Sequence, residues 1–199
     1  MFDWITDTIG GMGYPGIVLL MFLENVFPPI PSELVMPAAG FAAARGELSF
    51  TGVLFAGTFG SLLGALPWYY AGRFLGNDRL QRLVSRQGRW LAISSSEIAA
   101  TLRWFERHGG KIVFAGRLVP TVRTLISVPA GVASMQLPAF LICSAAGTLL
   151  WTGTLAWAGF MLGDQYEKIG SYLGPVSTIV VMLIVLTYIY RVMTFKRHA

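Results

Sequence analysis

Glu24-Asn-Val-Phe-Pro-Pro-Ile-Pro-Ser-Glu33 lies in the middle of an apolar stretch that runs from about residue 13 to residue 44. One straight helix cannot pass through Pro28-Pro29-Ile30-Pro31, because each ring removes a backbone donor and collides with the preceding turn. Two half-helices meeting at a break satisfy the pattern better. In a bilayer such a break survives only where it is buried in protein or lines a wet cavity. The expected element is a re-entrant helical hairpin over 13–44, broken at Pro28 and Pro31. A kinked spanning helix with a short return is the alternative.

The surrounding sequence is that of a membrane protein. Of 199 residues, 54% are hydrophobic and only 13% charged, and the mean hydropathy is +0.60. Phe50–Leu75 carries no charge before Arg73, and Leu137–Gly163 and Tyr172–Tyr190 carry none. Each reaches the roughly 18–20 apolar residues needed to cross about 30 Å of hydrocarbon. Spans are therefore expected at about 50–75, 137–163 and 172–194. Cys143 sits inside one of them and reads as a packing residue, since a lone cysteine builds neither a disulfide framework nor a thiolate metal site. Asp3 and Asp7 stand where a cleavable signal peptide would carry positive charge.

The sequence pI is about 9.7, yet the basic residues are distributed by topology rather than in a nucleic-acid-binding pattern. Arg73, Arg79, Arg82, Arg86, Arg89, Arg103, Arg107 and Lys111 fall in or beside one long polar loop at 77–111, and Arg191, Lys196 and Arg197 cluster at the C-terminus. The segments expected on the opposite surface hold only Arg45 and Lys168. The positive-inside rule makes the long loop and the tail cytoplasmic, with anionic lipid contact as a secondary role. Within the loop, Ser94-Ser-Ser-Glu97 is a capping box that opens an amphipathic helix with Ile98, Leu102 and Phe105 on one face and Trp104 near its end. This helix is expected to lie along the cytoplasmic interface, with packing onto the protein itself as the alternative.

Residues 112–134 repeat the opening design: Ile112–Val119, a break at Pro120, then Leu125–Ala133 with a further proline at 129. Pro28 to Pro37 and Pro120 to Pro129 have the same spacing, and Gly60–Gly76 can be laid over Gly147–Gly163. The chain thus reads as one all-α polytopic membrane domain over 1–199 containing two inverted repeats. Repeat 1, about 13–76, joins the first hairpin to span 50–75; repeat 2, about 112–163, joins hairpin 112–134 to span 137–163. If the long loop is inside, the two hairpins enter from opposite faces, as in secondary transporters.

Four charges stand out against the apolar background: Glu24 and Glu33 on the first hairpin, Arg117 and Arg123 on the second. An ionised side chain at mid-bilayer costs about 2.5–3.5 kcal/mol, so all four must pair, neutralise or face water. Two Glu–Arg pairs docking the hairpins would be a purely structural use. A functional use gives the arginines a phosphate to hold, since a guanidinium fork matches phosphate oxygens in a bidentate way. A half-helix beginning after Pro120 would add free N–H groups there. Apolar surroundings favour a neutral carboxyl, so Glu24 or Glu33 suits proton coupling. Arg73 ends a span and is expected to snorkel to the interface, where it could meet lipid headgroups. Trp68, Tyr69, Tyr70, Trp151 and Trp157 read as packing or interfacial residues. His108 and His198 fall outside the membrane part, so no catalytic residue, metal or cofactor is expected.

At these residues the sequence resembles the DedA family of bacterial inner-membrane proteins. Glu24 to Glu33 is similar to the family's first hairpin motif, Gly116-Arg-Leu-Val-Pro-Thr-Val-Arg123 to its second, and Tyr70-Ala-Gly-Arg-Phe-Leu-Gly76 to its Tyr-x-x-Gly-Arg-x-x-Gly stretch. The resemblance implies paired re-entrant hairpins, a fold shared with eukaryotic lipid scramblases, and lipid translocation in the bacterial inner membrane. It implies undecaprenyl phosphate or a phospholipid as partner, with protons in some members. It maps the acidic and basic motif positions onto Glu24, Glu33, Arg117 and Arg123. One departure is that many members carry an acidic residue where Gly64-Ala65 stands here, which shifts any proton step toward Glu24 and Glu33. The leading expectation is a translocase of undecaprenyl phosphate. The alternatives are a phosphatidylethanolamine translocase or scramblase and a proton-coupled transporter of a small solute or cation. A lipid phosphatase is disfavoured because no histidine lies in the membrane part to act as base beside a nucleophile. The oligomeric state, a homodimer included, is left open.

Overall fold

Apolar runs with proline breaks give a purely helical backbone among the described residues. A computed structural model describes residues 2–26, 32–91, 95–120 and 122–162. Pro28 and Pro31, Ser94 of the capping box and the expected span at 172–194 lie outside the described residues. Seven helices are seen: α1 (Phe2–Met12), α2 (Tyr14–Val26), α3 (Ser32–Ala44), α4 (Phe50–Leu91), α5 (Ser95–Arg117), α6 (Ser127–Val132) and α7 (Leu137–Leu162).

α2 ends at Val26 and α3 begins at Ser32, on either side of the proline-rich stretch. α2 and α3 have 13 residues each, about 20 Å of helix apiece and too short to cross the hydrocarbon singly. Two longer helices match the expected spans. Phe50–Gly76 within α4 has 27 residues and α7 has 26, each about 40 Å long. Only 39% and 33% of their apolar windows are buried inside the structure, an exposure that suits lipid better than a soluble core. Gly76 takes a left-handed φ of 62°, marking the point where α4 passes from its apolar to its charged part.

Three features differ from the sequence reading. The polar segment 77–111 is largely helical: α4 continues to Leu91, and α5 runs on without interruption from Ser95 to Arg117. The amphipathic helix expected to end near Trp104 is therefore the same helix as the first arm of the second broken segment. Gly109-Gly110 does not stop it, because Gly110 lies close against α7, where an added Cβ would come 3.0 Å from Cys143 Sγ. Phe105 on this helix is 4% exposed and packs with Tyr69, Val113 and Phe140, so at this position its apolar face is turned onto the protein. Finally, α1, for which the sequence reading gave no element, buries Ile5 and Ile9, four residues apart, against α2 and α3.

The core is built by exchange between the two broken segments. First arms pack within their own halves, α2 on α4 and α5 on α7. Second arms cross over, α3 onto α7 and α6 onto α4. At both crossings backbones touch through glycine. Gly40 and Gly159 leave room for the Ala156 and Pro37 carbonyls, and Gly131 and Gly72 leave room for those of Tyr69 and Val128. Small residues at such points let helices approach closely where hydrophobic driving force is weak.

Candidate functional site

The break in the second segment is not a helix start. Val122 N and Arg123 N both donate to Val119 O, and Ile126 N donates to Val122 O, so residues 118–126 form tight turns before α6. The N–H groups expected to be free after Pro120 are thus largely occupied, and α6 begins only at Ser127. These turns, next to the exposed Pro120, pair several of the amides that a half-helix would have left open. The charged groups gathered at this break are side chains.

Those side chains meet across α2, α5, α6 and α7. Arg123 is 8% exposed and forms a buried ion pair with Glu24, itself 2% exposed, through its Nη2 and Glu24 Oε1. The same Nη2 lies 3.9 Å from Glu33 Oε2 in the first turn of α3. Both acidic residues therefore converge on one arginine. Arg117, 2% exposed, has no carboxylate within 4.0 Å among the described residues. Its partners are neutral: Nη2 donates to Ser127 Oγ at 3.0 Å, Nε to Ser144 Oγ at 3.4 Å and Nη1 to Asn25 Oδ1 at 3.5 Å. Its guanidinium also lies over the Phe140 ring at 5.8 Å, a cation–π contact. Two of the three hydrogen bonds are long, and a guanidinium has five N–H donors to satisfy. This cation is buried, loosely held and locally uncompensated.

Hydrogen-bonding capacity is also left over on the acidic side. Glu24 Oε2 and Ser32 Oγ are buried without a partner among the described residues. Buried polar atoms in folded proteins are mostly hydrogen-bonded. The cluster thus offers spare donors and an acceptor in one place.

Asn25 is the residue that the sequence reading passed over. Its Nδ2 donates to Met21 O and to Ser61 Oγ, its Oδ1 accepts from Arg117, and its backbone carbonyl accepts from Trp68 Nε1. It ties α2 to α4 and holds Arg117 beside the Glu24–Arg123 pair. An uncharged amide in an apolar helix was the one available signal. Ser127, Ser144 and Phe140 had none, being ordinary residues of apolar stretches. Gly147 makes room for Arg117, since a Cβ there would lie 2.8 Å from Arg117 Cβ. Gly64 explains the missing acidic position: a Cβ there would come 2.6 Å from Asn25 Cβ and 2.7 Å from Phe22 O, and Ala65 beside it is 1% exposed. No larger side chain fits at Gly64 with α2 so close.

Arg73 is not part of this cluster. It is exposed and donates from Nη1 to Tyr69 Oη at 2.8 Å and to Met135 O at 3.4 Å. Tyr69 Oη in turn donates to Met135 O, which fastens the turn between α6 and α7 to α4.

With this geometry in view, comparison with known proteins is specific. A VTT domain matches residues 30–161, which takes in the second arm of the first segment and everything as far as α7. The chain belongs to the VTT-domain (DedA) family. Among bacterial relatives of this VTT-domain chain, "Undecaprenyl phosphate transporter A" of Staphylococcus aureus is 34% identical over 94% of this chain and 92% of its own length. The Bacillus subtilis protein of the same name is 30% identical over 98% and 95%. A Lactococcus lactis relative named "Alkaline phosphatase-like protein" is 40% identical over 99% and 92%. No solved structure matches the chain.

Proposed function

We propose that this protein carries a phosphate-bearing lipid, undecaprenyl phosphate in the first instance, from one leaflet of the bacterial cytoplasmic membrane to the other. The observation that carries the reading is Arg117, a buried guanidinium whose partners among the described residues are all neutral, beside a closed Glu24–Arg123 pair. Its uncompensated charge draws in an anion. Once there, a phosphate competes with Glu24 for Arg123, and a bidentate fork on each arginine would hold its oxygens. Glu24, displaced, must then face water or take up a proton, which is where coupling to a proton gradient would enter. Glu33, half-buried beside the same arginine, is the second candidate for that step. The names of the two transporter relatives support this cargo.

The interlocked arms suggest how the site could alternate. Each second arm is fixed to the opposite half through its glycine contacts, while the Glu24–Arg123 pair joins the two breaks. Opening that pair on one side at a time would expose the site to one leaflet after the other, as inverted repeats allow. The excess of Lys and Arg in 77–111 and at the C-terminus supports a cytoplasmic side for both. No bond to phosphorus breaks in this cycle, so release of inorganic phosphate is what would distinguish a phosphatase from the transporter proposed.

Leaflet exchange of labelled undecaprenyl phosphate in proteoliposomes tests the reading. Wild-type protein should accelerate exchange without releasing inorganic phosphate, and Arg117→Gln should abolish the acceleration. Equal exchange by wild type and Arg117→Gln would overturn the assigned role. Exchange of phosphatidylethanolamine but not of the polyprenyl phosphate would move the cargo to a zwitterionic headgroup.

A further inference from the structure

A second polar site lies apart from the buried arginines. A cavity of about 470 Å³ is walled by Tyr69, Tyr70 and Arg73 of α4 and by Ser134, Gln136 and Pro138 at the entry to α7. It sits at the Gly76 end of the apolar part of α4, the end that the charge distribution assigns to the cytoplasm. Arg73 is oriented rather than free: its Nη1 is anchored on Tyr69 Oη and Met135 O. Among the described residues its Nε and Nη2 have no partner, so donors remain for an incoming group. The neighbouring hydroxyls and the Gln136 amide add neutral donors, and Ser134 is held in a left-handed turn at φ 53°. Phe74, one residue from Arg73, is 77% exposed and adds apolar surface at this end of α4 beside the Tyr70 ring.

This outer site is mechanically joined to the inner one. Arg73 bonds to the Tyr69 hydroxyl, the Tyr69 ring stacks on Phe140 at 4.7 Å, and Arg117 lies over that same Phe140 ring at 5.8 Å. Two guanidinium groups are thus linked through one aromatic pair. We propose that the Arg73 cavity is a second phosphate-monoester site, a surface station where a lipid phosphate docks by its headgroup on its way to or from Arg117. The station rests on the transport reading for its lipid, while its phosphate chemistry stands on the cavity alone. Tyr69 and Phe140 form the contact through which occupation of one station is felt at the other.

Calorimetric titration of the full chain in detergent with farnesyl phosphate, a short isoprenyl phosphate, tests this. Wild type should bind two equivalents. Arg73→Gln should weaken one of them by at least about tenfold and leave the other. Gln136→Ala, an exposed change that leaves the Arg73–Tyr69 contact in place, should weaken the same equivalent roughly threefold and guards against misfolding of the arginine variant. Retention of both equivalents at full affinity by both variants overturns the proposal, as does equal binding of farnesol, which lacks the phosphate. Inorganic phosphate distinguishes the sources: weak competition supports a lipid headgroup, whereas saturation of the outer site at the affinity of farnesyl phosphate overturns its role as a lipid station. Absent leaflet exchange by wild type, with the two equivalents and the Arg73 effect intact, would strike the transport reading and not this site.

Discussion

Arg117 and Arg123 stand six residues apart, are of the same type and are both buried, yet their surroundings are opposite. Arg123 meets two carboxylates, Glu24 directly and Glu33 at 3.9 Å; Arg117 meets two hydroxyls, an amide and an aromatic ring. The difference shows that counting charges in a broken membrane segment does not say how they pair. Two acids and two bases would have balanced as two ion pairs. The fold instead spends both acids on one base and leaves the other available.

That asymmetry can be broken in stages. The largest effect is expected at the paired arginine: Arg123→Ala leaves Glu24 buried without a counter-charge and should cost about 3–5 kcal/mol. Adding Glu24→Gln should recover most of that loss, read as the unfolding midpoint in detergent. A single variant as stable as wild type would show that the pair is not buried in solution. Next come the glycine contacts that hold the second arms. Gly40→Val and Gly131→Val each force a side chain into a carbonyl of the opposite half and should each lose about 1–3 kcal/mol, by the same measurement. A neutral result at only one of them would mean that the two arms are not equivalently held. A smaller change separates charge from geometry: Arg117→Lys should leave stability within about 1 kcal/mol but slow leaflet exchange at least about tenfold, because an ammonium lacks the planar fork. The smallest effect is expected at the exposed pair Arg45–Glu47, 3.2 Å apart with side chains 54% and 50% exposed. Glu47→Gln there should change stability by less than about 0.5 kcal/mol, in contrast to the buried pair.

Much of the architecture was legible from local signals. Proline runs stop helices whatever surrounds them, so the separation of α2 from α3 could be read at once. Span length follows from apolar run length, so Phe50–Gly76 and Leu137–Leu162 were found to within a residue. Around Pro120 the structure has turns between α5 and α6 where a half-helix with free amides was expected, because whether amides stay free or close into turns is decided by packing. The fusion of the amphipathic helix with the arm that carries Arg117 was also missed. A Gly-Gly pair reads as an interruption until a neighbouring helix is seen to need that space.

By itself, the sequence determined that this is a helical membrane protein of the VTT-domain family with four charges in apolar surroundings. The helical membrane class and the charges depend on residue type and near-neighbour spacing, and the family on the resemblance of three short motifs. Only the tertiary structure decided which charge meets which. Glu24 and Arg123 are 99 positions apart, and Asn25 and Arg117 are 92 apart. Electrostatic pairing at such separation is set by where helices cross, and the crossings are set by glycines such as Gly64 and Gly147, whose role is the space they leave empty. An absent side chain carries no chemical signature in a sequence; its meaning appears only when the neighbour that fills the space is in view.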